Sequence, residues 1–343
     1  MHGGRHRARR GRLLLYGSLG CLLSVVVLAG IVMICMPGRS HTGPLPPLTA
    51  AEAVLRERLA HHVRTLAGAI GERHLWRPTA LEAAARYMTA TWQHYGYSVA
   101  RQPFEVQGQT VANLEVELSG VAQSPEIIVV GGHYDSVLGC PGANDNATGV
   151  AAVLEMARLL TGMSLPRTVR LVAFVNEEAP FFGTDAMGSW VYARRARARG
   201  ERIVAMLSLE TIGYYTDAAD SQQYPAPFHL FYPRVGNFIG FVGDLASWRL
   251  VRRSLAAFRR HTAFPSEGTA APRWLRDIGR SDHWAFWQEG YPGVMITDTA
   301  PFRYAPYHTP SDTPEQIDYA HLARVVAGLA RVVAELAGRA VVP

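Results

Sequence analysis

IIVVGGHYDSVLGCPGANDNATG, residues 127–149, is the stretch on which the fold turns. Ile127 to Gly131 is short and wholly apolar, which suits a strand covered on both faces of a sheet. Glycines and Pro141 then make a loop, and a helical pattern runs from about Thr148 to Leu160. Strand, loop and helix in succession are the unit of an α/β sheet. Downstream, 169–175 (VRLVAFV) reads as the next strand, 185–199 as a helix and 203–209 as a third central strand. Strands at 238–242 and 294–297 flank a helix over 248–260, and an amphipathic helix over 315–336, opened by Pro314, closes the chain. Upstream, 99–118 reads as a hairpin around Gln107-Gly108. A helix over 79–95 puts Leu81, Ala84, Ala85, Met88 and Trp92 on one face and ends at Gly96, and Thr49 N-caps another over 50–71. The alternation predicts an α/β fold: three layers, α/β/α, around a central mixed, mostly parallel sheet. Neither an internal repeat nor a break in composition divides residues 48–343, which read as one domain.

Residues 13–36 are apolar and uncharged, long enough for the ~30 Å hydrocarbon core of a bilayer. Arg5, Arg7, Arg9, Arg10 and Arg12 precede them, a basic cytoplasmic tail (1–12) by the positive-inside rule. The expectation is one transmembrane helix ahead of the domain, with the membrane as a partner. It puts the protein in the cytoplasmic membrane, single-pass, with the domain of residues 48–343 on the extracytoplasmic side. A cleaved signal peptide and a buried core helix are the other readings of such a run. Residues 37–47 (PGRSHTGPLPP) carry four prolines and read as a linker.

The net charge of +6 shrinks once the amino-terminal arginines are set aside. The remaining arginine clusters, 194–202 and 252–260, lie on helical patterns and read as solvated faces. Without a zinc finger or an aromatic-basic run beside them, no nucleic-acid partner is expected. Nothing in the sequence fixes an oligomeric state. Cys140 is the one cysteine outside the apolar run, so it has no intrachain disulfide partner in the domain, and it reads as a pocket-lining or structural residue.

Chemistry gathers at the ends of the apolar runs, where an open α/β sheet places its ligands. His133 follows the first strand, and Asp135, two residues on, is spaced to accept a hydrogen bond from the far ring nitrogen of a metal-bound His133. Asp145 precedes a helix and reads either as an N-cap or as a ligand. Glu177-Glu178 end VAFVNEE, an expensive pair to bury without compensation. One of them can bind a metal while the other acts as a base. Glu210 ends IVAMLSLE, a third acid at the same sheet edge. His308 lies in YAPYHTPSDTPE, a loop histidine or a ligand, with Asp312 spaced to orient it. Trp284, Phe286, Trp287, Phe302 and Tyr304 are candidates for an apolar subsite or for core. Arg303 is the candidate reader of a terminal carboxylate, or a plain loop arginine.

GGHYDSVLGCPGANDNATG, NEE, the LE of 209–210, SDHWAFW and YHTPSDTPE occur in that order and resemble the M28 family of zinc peptidases over about residues 80–338. The resemblance implies the zinc-exopeptidase, phosphorylase/hydrolase-like fold and two zinc ions. It implies that His133 and Glu210 bind one zinc, that Glu178 and His308 bind the other, and that Asp145 bridges them. Glu177 is then the general base and Asp135 the aspartate behind His133. Glu210 departs from the pattern, since many members carry aspartate there. The implied function is metal-dependent hydrolysis of peptide bonds, foremost as an aminopeptidase acting on peptides. Asp282, in the SDHWAFW segment, is a candidate either to stand behind a metal ligand or to contact the substrate. The alternatives are a single-zinc glutaminyl-peptide cyclotransferase and an inactive anchored binding domain.

Overall fold

The quoted stretch forms β3 (Glu126–His133), inside an eight-stranded sheet. The computed structural model describes residues 30, 33–122, 124–226 and 228–339. On one side of β3 lies β4 (Thr168–Phe174) and on the other β5 (Arg202–Glu210), both parallel to it, with β8 (Gly293–Thr297) parallel beyond β5. The hairpin β1 (Ala100–Val106) and β2 (Gln109–Leu118) adds antiparallel to β4. Past β8, β6 (Ile239–Asp244) pairs antiparallel, and β7 (Ser266–Ala271), parallel to β6, is the edge. The order is β1-β2-β4-β3-β5-β8-β6-β7. The chain leaves β3 toward β4 and returns on the far side to β5, so strand order reverses at β3, where such sheets open a crevice at their carboxyl ends.

Alternation along β3 separates two cores. Ile128 and Val130 face a thick layer of α1 (Ala50–Val63), α2 (Pro78–His94), α3 (Thr148–Leu160), α5 (Trp248–His261) and α7 (Tyr319–Leu336). Ile127 and Val129 face a thinner one, with Tyr192, Ala193 and Ala196 of α4 (Gly188–Ala198) and Ala285 and Phe286 of α6 (His283–Gln288). The three layers and the mixed sheet are those the sequence predicts.

Local signals hold well. Thr49 and Glu52 form a reciprocal capping box at α1, which continues in wider turns to Ile70 and stops at Gly71. The five residues expected on the buried face of α2 are its buried residues, and Gly96 follows with φ +89°. Two elements escape the sequence reading. SEGTAA has no β-branched apolar residue to mark it as β7; pairing with β6 makes it a strand. The segment after Asp282 coils into α6 rather than staying a loop. The last helix starts at Tyr319, where the Asp318 side chain accepts from Ala320 and His321 N–H, after a separate turn over Pro314–Gln316.

The transmembrane helix expected over residues 13–36 is corrected, and with it the membrane partner and the single-pass location. Among the described residues no helix is long and apolar enough to cross a membrane. Residues 1–29, 31 and 32, which include the basic tail and most of the apolar run, lie outside the described residues. Its described end is seated on the domain. Met33 packs against the cluster of Ala271, Ile278 and Trp287, Met36 joins the main core, and the Cys35 carbonyl accepts from Arg252. Apolar character reports only that a segment leaves water, and a protein surface satisfies that as a bilayer does.

Candidate metal centre

β3 delivers His133, fully buried, to the crevice. The loop beyond it is fastened from behind by Arg73. Its Nε donates to the Tyr134 carbonyl at 2.7 Å and its Nη2 to that of Gly142 at 2.9 Å, while Nη1 reaches Pro141. Gly142 sits at φ +65°, and a Cβ there would strike the Asp145 carbonyl at 2.4 Å. The Asp145–Asn146 peptide is cis. Asn146 then anchors the loop to the sheet: its Nδ2 donates to the Leu209 carbonyl at 2.7 Å, and its Oδ1 accepts from Gly149 and Thr211 N–H. Asp145 is therefore not a cap. The residue before α3 is Ala147, with no side-chain cap bond, and the Asp145 carboxylate faces the two histidines.

After β4, Asn176 takes a left-handed conformation (φ +58°), and both following N–H groups aim at one carboxylate. Glu177 N–H donates to Asp135 Oδ1 at 3.2 Å and Glu178 N–H to Oδ2 at 3.1 Å. The ring Nδ1 of His133 donates to the Asp135 main-chain carbonyl at 3.1 Å, with Oδ1 at 3.6 Å. Asp135 thus holds the histidine by its backbone and the two glutamates by its side chain. Glu210 ends β5, where Ser281 Oγ donates to its Oε2 at 2.7 Å. His308, 38% exposed at the side chain, is stacked on Tyr307 with ring centroids 3.9 Å apart. Asp312 does not orient it: that carboxylate accepts from Asn144 N–H, Asp145 N–H and Tyr304 Oη, and so sets the Asp145 loop.

Two clusters result. His133 Nε2 lies 3.2 Å from Asp145 Oδ1 and 3.4 Å from Glu210 Oε2. On the other side of Asp145, His308 Nε2 lies 3.0 Å from Oδ2 and 3.5 Å from Glu178 Oε2. Each trio offers donor atoms within 4.8 Å of one another, and Asp145 belongs to both. Glu177 approaches His133 Nε2 at 3.8 Å and forms a third grouping with His133 and Glu178. A tetrahedron with zinc–ligand bonds of ~2.0–2.1 Å has edges of about 3.3–3.4 Å, close to these separations. His133 Nε2, Asp145 Oδ1 and Glu178 Oε1 are buried without a hydrogen bond. Imidazole and carboxylate donors suit zinc, and the donor set fits a pair of zinc ions.

The electrostatics point the same way. Burial lifts the Glu177 carboxyl well above the ordinary range; His133 pulls it back, while Glu210 and Glu178 add to the rise. Burial and Asp145 lift Glu178 likewise, and burial lifts Glu210. For His133 burial opposes the charge, but Glu210 and Glu177 carry its pKa well above the usual value. Burial acts upward on Asp145 too, yet the adjacent His133 and His308 rings hold it low. Crowded carboxylates of this kind repel one another, a cost that cations relieve. Burial also lifts Asp282, at the head of α6, to about 7.

Beside Glu210 and Tyr307 opens an apolar pocket of about 110 Å³, walled by Phe228, Phe238, Phe241, Met295 and Phe302 among others. Of the five aromatics expected there, Phe302 lines it. Phe286 and Trp287 are buried core, Trp284 packs on Phe182 and Trp190, and Tyr304 is buried on Asp312. Arg303 is buried and held by Nε on Gln222 and by Nη1 on the carbonyls of Gly236 and Phe238, with Nη2 buried without a partner. Cys140 is buried and unpaired. The sequence reading missed Arg73 and Asn146. Arg73 carries no signal, lying far upstream of its partners. Asn146 did carry one, an asparagine just before a helix beside a glycine-rich turn.

A mixed α/β/α sheet that gathers two overlapping His/carboxylate clusters at its strand ends defines a metal-dependent hydrolase. Residues 113–333 match peptidase family M28; the chain belongs to that family and is a zinc-dependent metallopeptidase. YfbL of Escherichia coli (strain K12) is 38% identical over 284 residues, 80% of this chain and 86% of that protein. Among solved structures, the fold is similar to that of BSAP, a zinc aminopeptidase from Bacillus subtilis. Its TM-score is 0.66 at 16% identity, over 82% of this chain and 94% of that one. The glutaminyl cyclase of Fimbriiglobus ruber shares the fold at a TM-score of 0.59 and 20% identity, over 87% and 99% of the two chains.

Proposed function

We propose that this metallopeptidase is an aminopeptidase that releases amino-terminal residues with apolar side chains. The observation that carries the reading is the pair of donor trios sharing Asp145 and opening on the apolar pocket at Glu210. His133 and Glu210 would hold one zinc and Glu178 and His308 the other, with Asp145 shared between the two groups. Bound zinc supplies a lowered pKa for water and polarises the scissile carbonyl. Glu177 is the general base: it takes a proton from the attacking water and hands it to the leaving amine. Asp135 orients this step by fixing the main-chain N–H groups of both glutamates and, through its carbonyl, the His133 ring. The pocket seats the first side chain. Glu210, Glu267 and Asp277 line the pocket, and the arginine beside them, Arg280, is paired with Asp277, which suits a substrate bearing an ammonium group better than one bearing a terminal carboxylate.

The test uses the full chain and its Glu177→Gln variant, with zinc analysis and hydrolysis of aminoacyl amides, peptides and their N-acetylated forms. Two zincs per chain in both proteins, hydrolysis of free-amine substrates alone, and a kcat loss of about 10²–10⁴-fold in the variant are expected. One zinc, no hydrolysis and cyclisation of an amino-terminal glutamine would make it a cyclotransferase. Zinc without either reaction would make it a binding domain.

A further inference from the structure

The apolar pocket is built partly on the edge strand: Glu267, Gly268 and Thr269 of β7 line it, with Gly240, Phe241 and Val242 of the neighbouring β6. An edge strand is held on one side only. Against β7 away from β6 lie the segment 33–40, Arg259 and Tyr232. Ser266 N–H donates to Ser40 Oγ at 2.9 Å. The Pro37 and Gly38 carbonyls accept from Arg259 at 3.1 and 3.2 Å, and Arg259 also donates to the side chain and carbonyl of Ser266. A Cβ on Gly268 would come within 3.2 Å of the Met36 side chain, so Met36 lies directly on the strand. Met33 packs on the cluster that includes Ile278, Phe228 and Val242, three residues of the pocket wall. The wall and the strand are joined in turn, since Tyr232 Oη donates to the Gly268 carbonyl at 2.8 Å.

We infer that residues 33–40 are a brace that sets the depth of the substrate pocket, with Met36 and Ser40 as positioning residues for side-chain selection. The inference rests on the pocket being the seat of the first side chain. None of these residues reaches the metal centre, so the chemical step is untouched when the brace is loosened. What changes is the fit of a side chain long enough to reach the β6–β7 wall.

The experiment compares the full chain with Met36→Ala, Ser40→Ala and Ser40→Thr. KM and kcat are measured on alanine and phenylalanine amides, and amide hydrogen exchange is followed over residues 266–271. Expected for the two alanine variants is a KM rise of roughly three- to tenfold on the phenylalanine amide only, with kcat and the alanine amide within twofold. Exchange over 266–271 is expected to be faster, and Ser40→Thr, which keeps the hydroxyl, to behave as the parent. Equal changes on both amides, a fall in kcat alone, or unchanged KM or exchange would overturn the brace. If the unaltered chain hydrolyses neither amide, the aminopeptidase reading fails. Exchange in the same variants still decides then whether 33–40 braces β7, and unchanged exchange refutes it.

Discussion

Asp135 does two jobs with two different groups. Its carbonyl fixes the His133 ring and its carboxylate fixes the main chain of Glu177 and Glu178. Spacing in the sequence suggested the partnership with His133 but assigned it to the carboxylate. The difference is physical: the carboxylate is already engaged by two N–H groups, whose geometry depends on β4 ending beside β3. An Asp135→Asn substitution keeps one accepting oxygen and puts an NH2 against the other N–H. The expected result is a loss of about 10–100-fold in zinc affinity or in kcat, read by zinc titration and by initial rates. The His133 ring keeps its carbonyl partner. Unchanged affinity and rate would mean that the two glutamates hold their places without the carboxylate.

At the scale of elements, the start of α3 is a tight joint of the site. Gly149 lies against Asn146 and against the carbonyl of Leu209 at the end of β5; a Cβ there would meet both at 2.4 Å. Gly149→Ala therefore overpacks the junction, at a cost of roughly 1–3 kcal/mol, and pushes on the residue next to Asp145. A lower urea midpoint together with weaker zinc retention is expected, and retention equal to the parent's would show that the loop is set independently of the helix. The amino end of α1 offers a contrasting case remote from the site. Thr49→Ala removes the capping box and should cost ~1 kcal/mol with zinc content intact, read by the same urea midpoint.

At the scale of the whole molecule, buried acids make stability depend on pH and metal together. Burial raises Asp298 to about 7 and Asp312 to about 6. Glu177, Glu178 and Glu210 shift in the same direction. A carboxyl with a raised pKa binds its proton more tightly in the folded state, so its contribution is full below about 4 and is lost as the pH climbs toward 7. The raised His133 acts in the same sense above its ordinary value of about 6.5. Asp145 opposes them: its pKa is held low, and its stabilisation fades as the pH falls. The chelated protein should therefore lose stability between pH 5 and pH 8. Zinc, which takes deprotonated ligands, should stabilise it more at the upper end. Urea midpoints with and without chelator at both pH values check this, and a metal increment no larger at pH 8 than at pH 5 would contradict it.

The sequence by itself determined what depends on near neighbours. The apolar run of β3, the buried face of α2 and the N-cap at Thr49 follow from periodicity and from contacts three or four residues apart. The donor types were legible for the same reason, with His133, Glu177, Glu178 and Glu210 at the ends of apolar runs, Asp145 before a helix and His308 in a loop. Tertiary structure alone decided which atoms meet. Asp145 faces both histidines because strand order reverses at β3 and because Arg73, which no motif marks, and Asn146 shape the loop that carries it. SEGTAA is a strand because β6 lies beside it, and the described end of the apolar run lies on that same edge of the sheet. Local chemistry fixes what a segment can do, but the groups it meets are brought from distant parts of the chain, and only the folded sheet sets those pairings.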